Sequence, residues 1–133
     1  VISGSGEAVT PSMYLSDMDV TEFSYARQLD PNFVDDGKLQ FLSEFGESWG
    51  FIASDKAVVF LDNHDTQRGE AQLTYKNGDL YQLANVFMLA HPYGYPKVMS
   101  SYYFSSHDQG PPSVSVHNGN TLECGSGKPW VCE

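Results

Sequence analysis

The chain has few basic residues, few cysteines and no long hydrophobic run. Its 133 residues contain seven Lys and Arg against 17 Asp and Glu, which gives a formal net charge of −10. Nucleic-acid affinity comes largely from Lys and Arg that neutralise phosphates, so this balance argues against a nucleic acid as partner. No apolar run approaches the ~20 residues that span a bilayer, and we therefore expect no membrane partner.

The chain also lacks an initiator Met, a basic leader and any signal-like apolar segment at its start. We therefore interpret it as a piece of a longer protein. What is present suits a globular domain, since 41% of the residues are hydrophobic and 14% are aromatic. The length fits one domain, and no linker or internal repeat divides it.

Two cysteines, Cys124 and Cys132, flank a Gly- and Pro-rich tail segment, CGSGKPWVC. We favour a disulfide between them, which implies an oxidising, secreted setting. Two free thiols are the alternative. A zinc site fits less well because His117 is the one His nearby and the CxxC spacing is missing.

The order of elements predicts an α/β fold. Strands are predicted at 19–23, 57–61 and 98–102, and the apolar run at 57–61 is typical of a strand buried on both faces of a parallel sheet. A helix that opens at 24–29 is expected to stop before Pro31, and a second helix covers 38–46. A third follows the NGD turn at 77–79, with an apolar face of Leu80, Leu83, Ala84, Phe87 and Met88. The tail from Ser105 is predicted to be loop.

Four polar residues, Asp62 to Asp65, directly follow the 57–61 strand. Ligands of parallel α/β folds bind beyond the carboxyl ends of the strands, so this placement suggests a site. A carboxylate there can stabilise a developing cation, and an imidazole can donate to a hydroxyl. Two alternatives stay open at this point. Asp62 and Asn63 could cap the next segment, or one His with flanking carboxylates could bind a metal.

The segment FLDNHDTQRG (60–69) is similar to the fourth conserved region of the α-amylase family of retaining glycoside hydrolases, F-x-D-N-H-D. Further blocks occur in the same order in animal-type α-amylases: GESWGF (46–51), FMLAHPYGYPKVMSSY (87–102), GPP (110–112) and CGSGKPWVCE (124–133). The likeness therefore covers nearly the whole chain.

The resemblance implies a (β/α)8 TIM barrel, for which ~250 residues are typical. Residues 1–133 would form a C-terminal portion of the catalytic barrel domain, about strands six to eight with the intervening helices. The N-terminal half of the barrel, its last helix and a C-terminal β domain would lie outside the chain. The family's general-acid Glu would directly precede Val1, and the nucleophilic Asp would lie further upstream.

The resemblance also assigns roles to single residues. Asp65 matches the invariant carboxylate that stabilises the oxocarbenium-like transition state, and His64 matches the imidazole that binds hydroxyls of the same sugar. Asn63 matches an amide that ligates chloride in chloride-activated members. Lys97 stands where those members usually carry Arg, and it lacks the planar fork of a guanidinium. Trp49, Tyr93 and Tyr95 are candidates to stack on sugars, with a core position as the alternative.

The implied function is hydrolysis of internal α-1,4-glucosidic bonds of starch and glycogen with retention, by a secreted, monomeric enzyme. Chloride and calcium are the expected cofactors, with the calcium ligands upstream of this chain and no metal ligand within it. The alternative is an amylase-like protein that keeps the barrel for binding or assembly without catalysis.

Overall fold

Three short strands form a parallel sheet in the computed structural model, which describes residues 6–34 and 38–132. The strands are β1 (Val20–Thr21), β2 (Ala57–Val59) and β3 (Tyr95–Pro96), and they lie in the order β1-β2-β3. Val20 pairs with Ala57, and Val58 pairs with Tyr95. Helix α1 (Phe23–Val34) lies between the first two strands in sequence, and α2 (Asp79–Ala90) lies between the last two. The alternation and the parallel pairing confirm the predicted α/β class.

The central strand β2 is buried as its apolar sequence predicts, with Ala57 and Val59 almost inaccessible. It ends at Val59, two residues before the predicted end, and Phe60 and Leu61 continue as buried residues outside the strand. Its neighbour β3 contains Pro96, which has no N–H to donate to a ladder. The first strand is likewise shorter than the predicted 19–23, because Phe23 already begins α1.

Helix α1 continues through Pro31, so the predicted stop before this residue is wrong. A proline inside a helix removes one backbone hydrogen bond and normally breaks or kinks the helix. Here one face of the helix is buried, and Tyr25 and Leu29 have no accessible surface. Tertiary packing of this face outweighs the local cost of the proline. The prediction from local sequence did not include this packing.

The segment predicted as a helix at 38–46 forms a 3-10 helix, Leu39–Glu44. It buries Leu42 and is followed by the buried Phe45, whereas Leu39 is exposed. The helix predicted after the NGD turn is confirmed as α2, but its buried face is Tyr81, Ala84 and Met88. Leu80 and Leu83, which we predicted to belong to the apolar face of this helix, are exposed. Both sides of α2 carry apolar residues, so periodicity alone could not select the buried one.

The core lies between the sheet and the two helices. Tyr25 is at its centre, with its ring stacked on Tyr93 at 6.0 Å and edge-on to Phe45 at 5.0 Å. Contacts of this geometry between aromatic rings stabilise a core beyond the burial of their area. The other buried members are Leu29, Leu42, Phe51, Ala57, Val59, Leu61, Leu73, Tyr81, Ala84 and Met88.

By their contacts the residues group into two compact units, one ending at Val98 and one beginning at Met99. The strand predicted at 98–102 does not form, and Tyr102 instead makes an isolated bridge with Trp130. The tail predicted as loop contains a hairpin, β4 (His117–Asn118) and β5 (Thr121–Leu122), whose tight turn has Gly119 at φ 61°. The two residues between the strands are Gly119 and Asn120, and Gly-Asn between two pairing segments is a hairpin signal that the prediction overlooked.

The predicted disulfide between Cys124 and Cys132 is present in the second unit. It excludes the two alternatives, free thiols and a zinc site, for these residues. None of the helices in the described part of the chain is long and apolar enough to cross a membrane.

Candidate active site

The polar cluster lies just beyond the carboxyl end of β2, where the chain leaves the sheet and enters a short 3-10 helix, Thr66–Arg68. Because β1 and β3 run parallel to β2, their carboxyl ends lie at the same edge of the sheet. This edge is where parallel α/β folds place their ligands. The four residues of the cluster have different surroundings, which separate their roles.

Asp62 is a structural carboxyl group. It is 4% exposed, and its Oδ1 accepts a hydrogen bond of 2.8 Å from the Tyr81 hydroxyl. Burial raises the pKa of Asp62 to about 6, although the hydrogen bond from Tyr81 lowers it. The contact connects the end of β2 to helix α2, so Asp62 is not available to a ligand.

Asn63 organises the loop. Its Oδ1 accepts from the backbone N–H of Asp65 and of Thr66, at 2.9 and 2.8 Å, and its own N–H donates to Thr66 Oγ1 at 2.9 Å. This is the capping role that the sequence left open as an alternative. Since the oxygen of the amide is occupied, the Nδ2 donors remain outside these bonds.

His64 and Asp65 face solvent side by side. Their side chains are 83% and 76% exposed, and His64 Nε2 lies 3.4 Å from Asp65 Oδ1. The Arg68 guanidinium donates to the His64 backbone carbonyl at 3.1 Å, which fixes the backbone behind the pair. An exposed carboxylate beside an imidazole can receive hydroxyl hydrogen bonds and can stabilise a positive charge that develops on a substrate.

Lys97 follows β3 and is placed by a bond from its N–H to Val59 O at 2.8 Å. Asn63 and Lys97 therefore follow neighbouring strands, β2 and β3. The Lys97 ammonium lies over the Tyr95 ring, 4.7 Å from its centre, which is a cation–π contact. The structure thus brings His64 and Asp65 together, whereas the contacts of Asn63 and of Lys97 are with different parts of the chain.

Of the three aromatic candidates for sugar stacking, Tyr93 belongs to the core. It is 4% exposed, and its hydroxyl donates to Ile52 O. Trp49 packs edge-on against Phe45. Tyr95 is exposed and carries Lys97 on its ring. Of the three side chains, that of Tyr95 is therefore the largely exposed one.

A second buried carboxyl group lies on helix α1 and was not among the site residues predicted from the sequence. Asp30 is 2% exposed, and its Oδ2 accepts from the backbone N–H of Gln72 and of Leu73, both at 3.1 Å. Burial is the main cause that raises the pKa of Asp30 to about 7, the two backbone hydrogen bonds lower it, and the Asp62 carboxylate raises it further. One feature of the sequence could have identified Asp30: it is a charged residue on the otherwise apolar helix face that Tyr25, Ala26 and Leu29 form.

A cavity of about 160 Å³ lies beside Asp30, between α1 and the loop that follows the 3-10 helix. Phe23, Phe60, Arg27 and Glu70 are among its lining residues. Arg27 and Glu70 are 3.8 Å apart and largely exposed, so this ion pair contributes little to stability.

Residues 6–34 and 38–132 contain no group of three or more His, Cys, Asp or Glu side chains that could hold a metal ion. The position predicted for the general acid, next to Val1, lies outside the described residues. The calcium and general-acid assignments therefore stay predictions.

The chain is similar to α-amylases in sequence and in structure. It is 48% identical over 132 residues to the α-amylase of Streptomyces violaceus, covering 99% of this chain and 22% of the relative. It is 41% identical over 157 residues to the pancreatic α-amylase of the ostrich, Struthio camelus, covering 100% of this chain and 31% of the relative. No protein-family model matches the chain.

Among solved structures, α-amylase I of the earthworm Eisenia fetida matches with a TM-score of 0.84 and 34% identity, over 100% of this chain and 30% of that one. A mutant of the same enzyme in a complex with maltohexaose matches equally well. The chain thus spans less than a third of the length of these relatives. In sequence and in fold, the chain is therefore similar to a part of the α-amylase domain.

Proposed function

We propose that this chain is part of a longer α-amylase that hydrolyses internal α-1,4-glucosidic bonds of starch and glycogen with retention of configuration. In this proposal β1, β2 and β3 belong to strands six to eight of a (β/α)8 barrel. The observation that supports it best is the exposed His64–Asp65 pair beyond the carboxyl end of β2, in a chain similar along its length to α-amylases.

Retaining glycosidases need two carboxyl groups, one as nucleophile and one as acid/base. In our proposal both come from parts of the barrel outside this chain, and Asp65 is a third carboxylate that supports both steps. Its negative charge faces the sugar ring as that ring becomes oxocarbenium-like, so it stabilises the transition state more than the ground state. His64 donates to hydroxyls of the same sugar and helps to orient it.

Asn63 and Lys97 fit an anion such as chloride. The amide oxygen of Asn63 is occupied by two backbone N–H groups, which leaves its Nδ2 donors for an anion. Lys97 is exposed and directly follows the neighbouring strand β3, so its ammonium supplies positive charge at the same edge of the sheet. A bound anion would raise the pKa of a nearby acid by its negative charge.

The remaining assignments follow from the same proposal. The disulfide between Cys124 and Cys132 supports a secreted, extracellular enzyme, because such bonds persist in oxidising compartments. We propose that the enzyme acts as a monomer and that its calcium ligands lie outside this chain.

The test is Asp65→Asn in the longer protein. The substitution keeps the shape of the side chain and removes its charge, so we expect kcat on starch to fall by about 10²–10³ with little change in KM. The matched control is Asp55→Asn, which makes the same change in the 3-10 helix at the opposite end of β2 and should keep kcat near the wild-type value. If Asp65→Asn also keeps it, Asp65 is only a loop residue. A wild-type protein without turnover would refute the proposed function.

A further inference from the structure

We propose that Asp30 is a positioning residue for the loop that carries His64 and Asp65. This inference rests on the proposed function and adds a residue from helix α1 to the site. Asp30 does not touch the pair. Its carboxylate holds the far end of the loop, and the loop transmits that constraint to the pair.

The first step is the contact between α1 and the loop. Asp30 Oδ2 accepts from the N–H groups of Gln72 and Leu73, which lie more than 40 residues further along the chain. Leu73 has no accessible surface, so its side chain is held in the core at the same point. One buried oxygen atom and one buried side chain therefore fix the end of the loop.

The second step is the continuity of the loop. Thr66 O accepts from the N–H groups of Glu70 and Ala71, at 2.9 and 2.8 Å. The Thr66 side chain accepts from Asn63 N–H, and Asn63 Oδ1 accepts from Asp65 N–H. Hydrogen bonds to the backbone oxygen of Thr66 and to the side-chain oxygens of Thr66 and Asn63 thus connect the residue before Gln72 to the two residues that flank His64.

The third step is that packing alone does not account for a carboxyl group at this place. The other oxygen, Asp30 Oδ1, is buried and has no hydrogen-bond partner among the described residues. Burying a carboxyl group with one unpaired oxygen costs free energy, which an apolar side chain on the same helix face would not. Residues that break a local rule of this kind concentrate at functional sites. What the carboxylate gains is a fixed position for two backbone N–H groups of the active-site loop.

The effect on catalysis follows from geometry. A misplacement of about 1 Å, caused by a change remote from the reacting atoms, can cost on the order of 10²-fold in rate. Asp30→Ala leaves the N–H groups of Gln72 and Leu73 without their acceptor and frees the loop. We expect kcat on starch to fall about 10- to 100-fold in the longer protein, with KM changing less than threefold. Asp30→Asn keeps an acceptor oxygen and should recover most of kcat.

The matched control is Glu22→Ala. Glu22 is also a buried carboxylate that accepts from two backbone N–H groups, those of Ser24 and Ile52, but it holds a different loop. We expect it to lower the unfolding temperature as Asp30→Ala does while kcat stays within about threefold of wild type. Equal losses of kcat in both variants, at a temperature well below either unfolding transition, would reduce Asp30 to a structural residue.

The deciding measurement is a double-mutant cycle with Asp65→Asn. If Asp30 acts through Asp65, then Asp30→Ala should lower kcat much less in the Asp65→Asn background than in wild type. A full 10- to 100-fold further loss in that background would overturn the inference.

A second variant, Gln72→Pro, is used if Asp30→Ala does not fold. It removes the Gln72 N–H, which is one of the two donors to Asp30 and lies on the exposed side of the contact. An unchanged kcat in Gln72→Pro would equally refute the role of Asp30. An active wild type with unaffected variants refutes this inference alone, whereas an inactive wild type refutes the proposed function.

Discussion

At the scale of single residues, two buried carboxyl groups give stability an unusual pH dependence. Burial raises the pKa of Asp30 to about 7 and that of Asp62 to about 6 in the folded chain, from an ordinary value of 3.8. The folded state therefore binds these protons more tightly than the unfolded state. Their stabilising contribution is complete below about pH 4 and is lost as the pH rises through 6 and 7.

We therefore expect Asp30→Asn to cost more stability at pH 4.5 than at pH 7.5. Each pKa unit corresponds to about 1.4 kcal/mol, so the difference should be readily measurable by denaturant unfolding. Other ionisable groups also act on Asp30: the Asp62 carboxylate raises its pKa, and Arg27 and Glu70 line the cavity beside it. These three residues are not mutated, so wild type and Asp30→Asn differ only at Asp30. An equal cost at the two pH values would mean that Asp30 does not titrate in this range.

The second prediction at this scale concerns Lys97 and chloride. An ammonium is a compact, strongly hydrated charge, whereas a guanidinium offers two parallel donors and is more weakly hydrated. We expect activity of the longer protein to rise with chloride and to saturate at a lower chloride concentration in Lys97→Arg than in wild type. The measurement is a titration of both dialysed proteins at constant ionic strength. Wild-type activity that is flat from zero chloride upward would mean that Asn63 and Lys97 form no anion site.

At the scale of elements, β3 can approach β2 only because residue 94 has no side chain. Gly94 has φ 73°, and a Cβ atom there would lie 2.6 Å from Val59 Cγ1 and 3.1 Å from Ala57 O. Gly94→Ala should therefore combine the cost of a left-handed backbone with a clash in the core, about 2–4 kcal/mol together. Gly50→Ala is the control, since φ is 86° and nothing lies within 4 Å of a Cβ there. It should cost only about 1 kcal/mol in a denaturant titration. Equal costs would show that β3 shifts to make room.

How much of an element could be predicted depended on whether the deciding force was local. The run 57–61 indicated a buried strand because every residue in it is apolar, and the Cys124–Cys132 pairing followed from a short loop. Helix α1 passes through Pro31 because its buried face packs against the sheet. The stabilisation from this packing cannot be deduced from the residues around Pro31 alone. The cluster 62–65 lies beyond the carboxyl end of β2, as its sequence position indicated, yet Asp62 is structural because Tyr81 reaches it from another element. Asp30 was missed for the same reason, since its partners lie on a distant loop.

At the scale of the whole molecule, the outer face of helix α2 carries an apolar stripe. Leu83, Val86 and Leu89 are 56%, 61% and 60% exposed, and Leu80 adds to them at the start of the helix. Contiguous apolar surface of this kind on a soluble protein usually marks a contact with another element or chain. The proposed barrel accounts for it, because the helices of a (β/α)8 barrel form a closed outer ring in which each packs against its neighbours.

The last prediction follows from that arrangement. We expect the isolated 133 residues to show no turnover of soluble starch, because the proposed nucleophile and acid/base both lie outside them and Asp65 alone cannot form or hydrolyse a glycosyl-enzyme intermediate. The isolated chain should also bind a hydrophobic dye more strongly than the longer protein does, since the apolar stripe of α2 is uncovered in it.

The variant that tests this origin of the dye signal combines Leu83→Lys with Val86→Lys. It should lower the dye signal of the isolated chain, and it should destabilise the longer protein, where we expect the stripe to pack against a neighbouring helix. Turnover above a buffer blank, with contaminating enzyme excluded, would show that the chemistry lies within this chain. Dye binding unchanged by the two lysines would place the exposed apolar surface elsewhere than on α2.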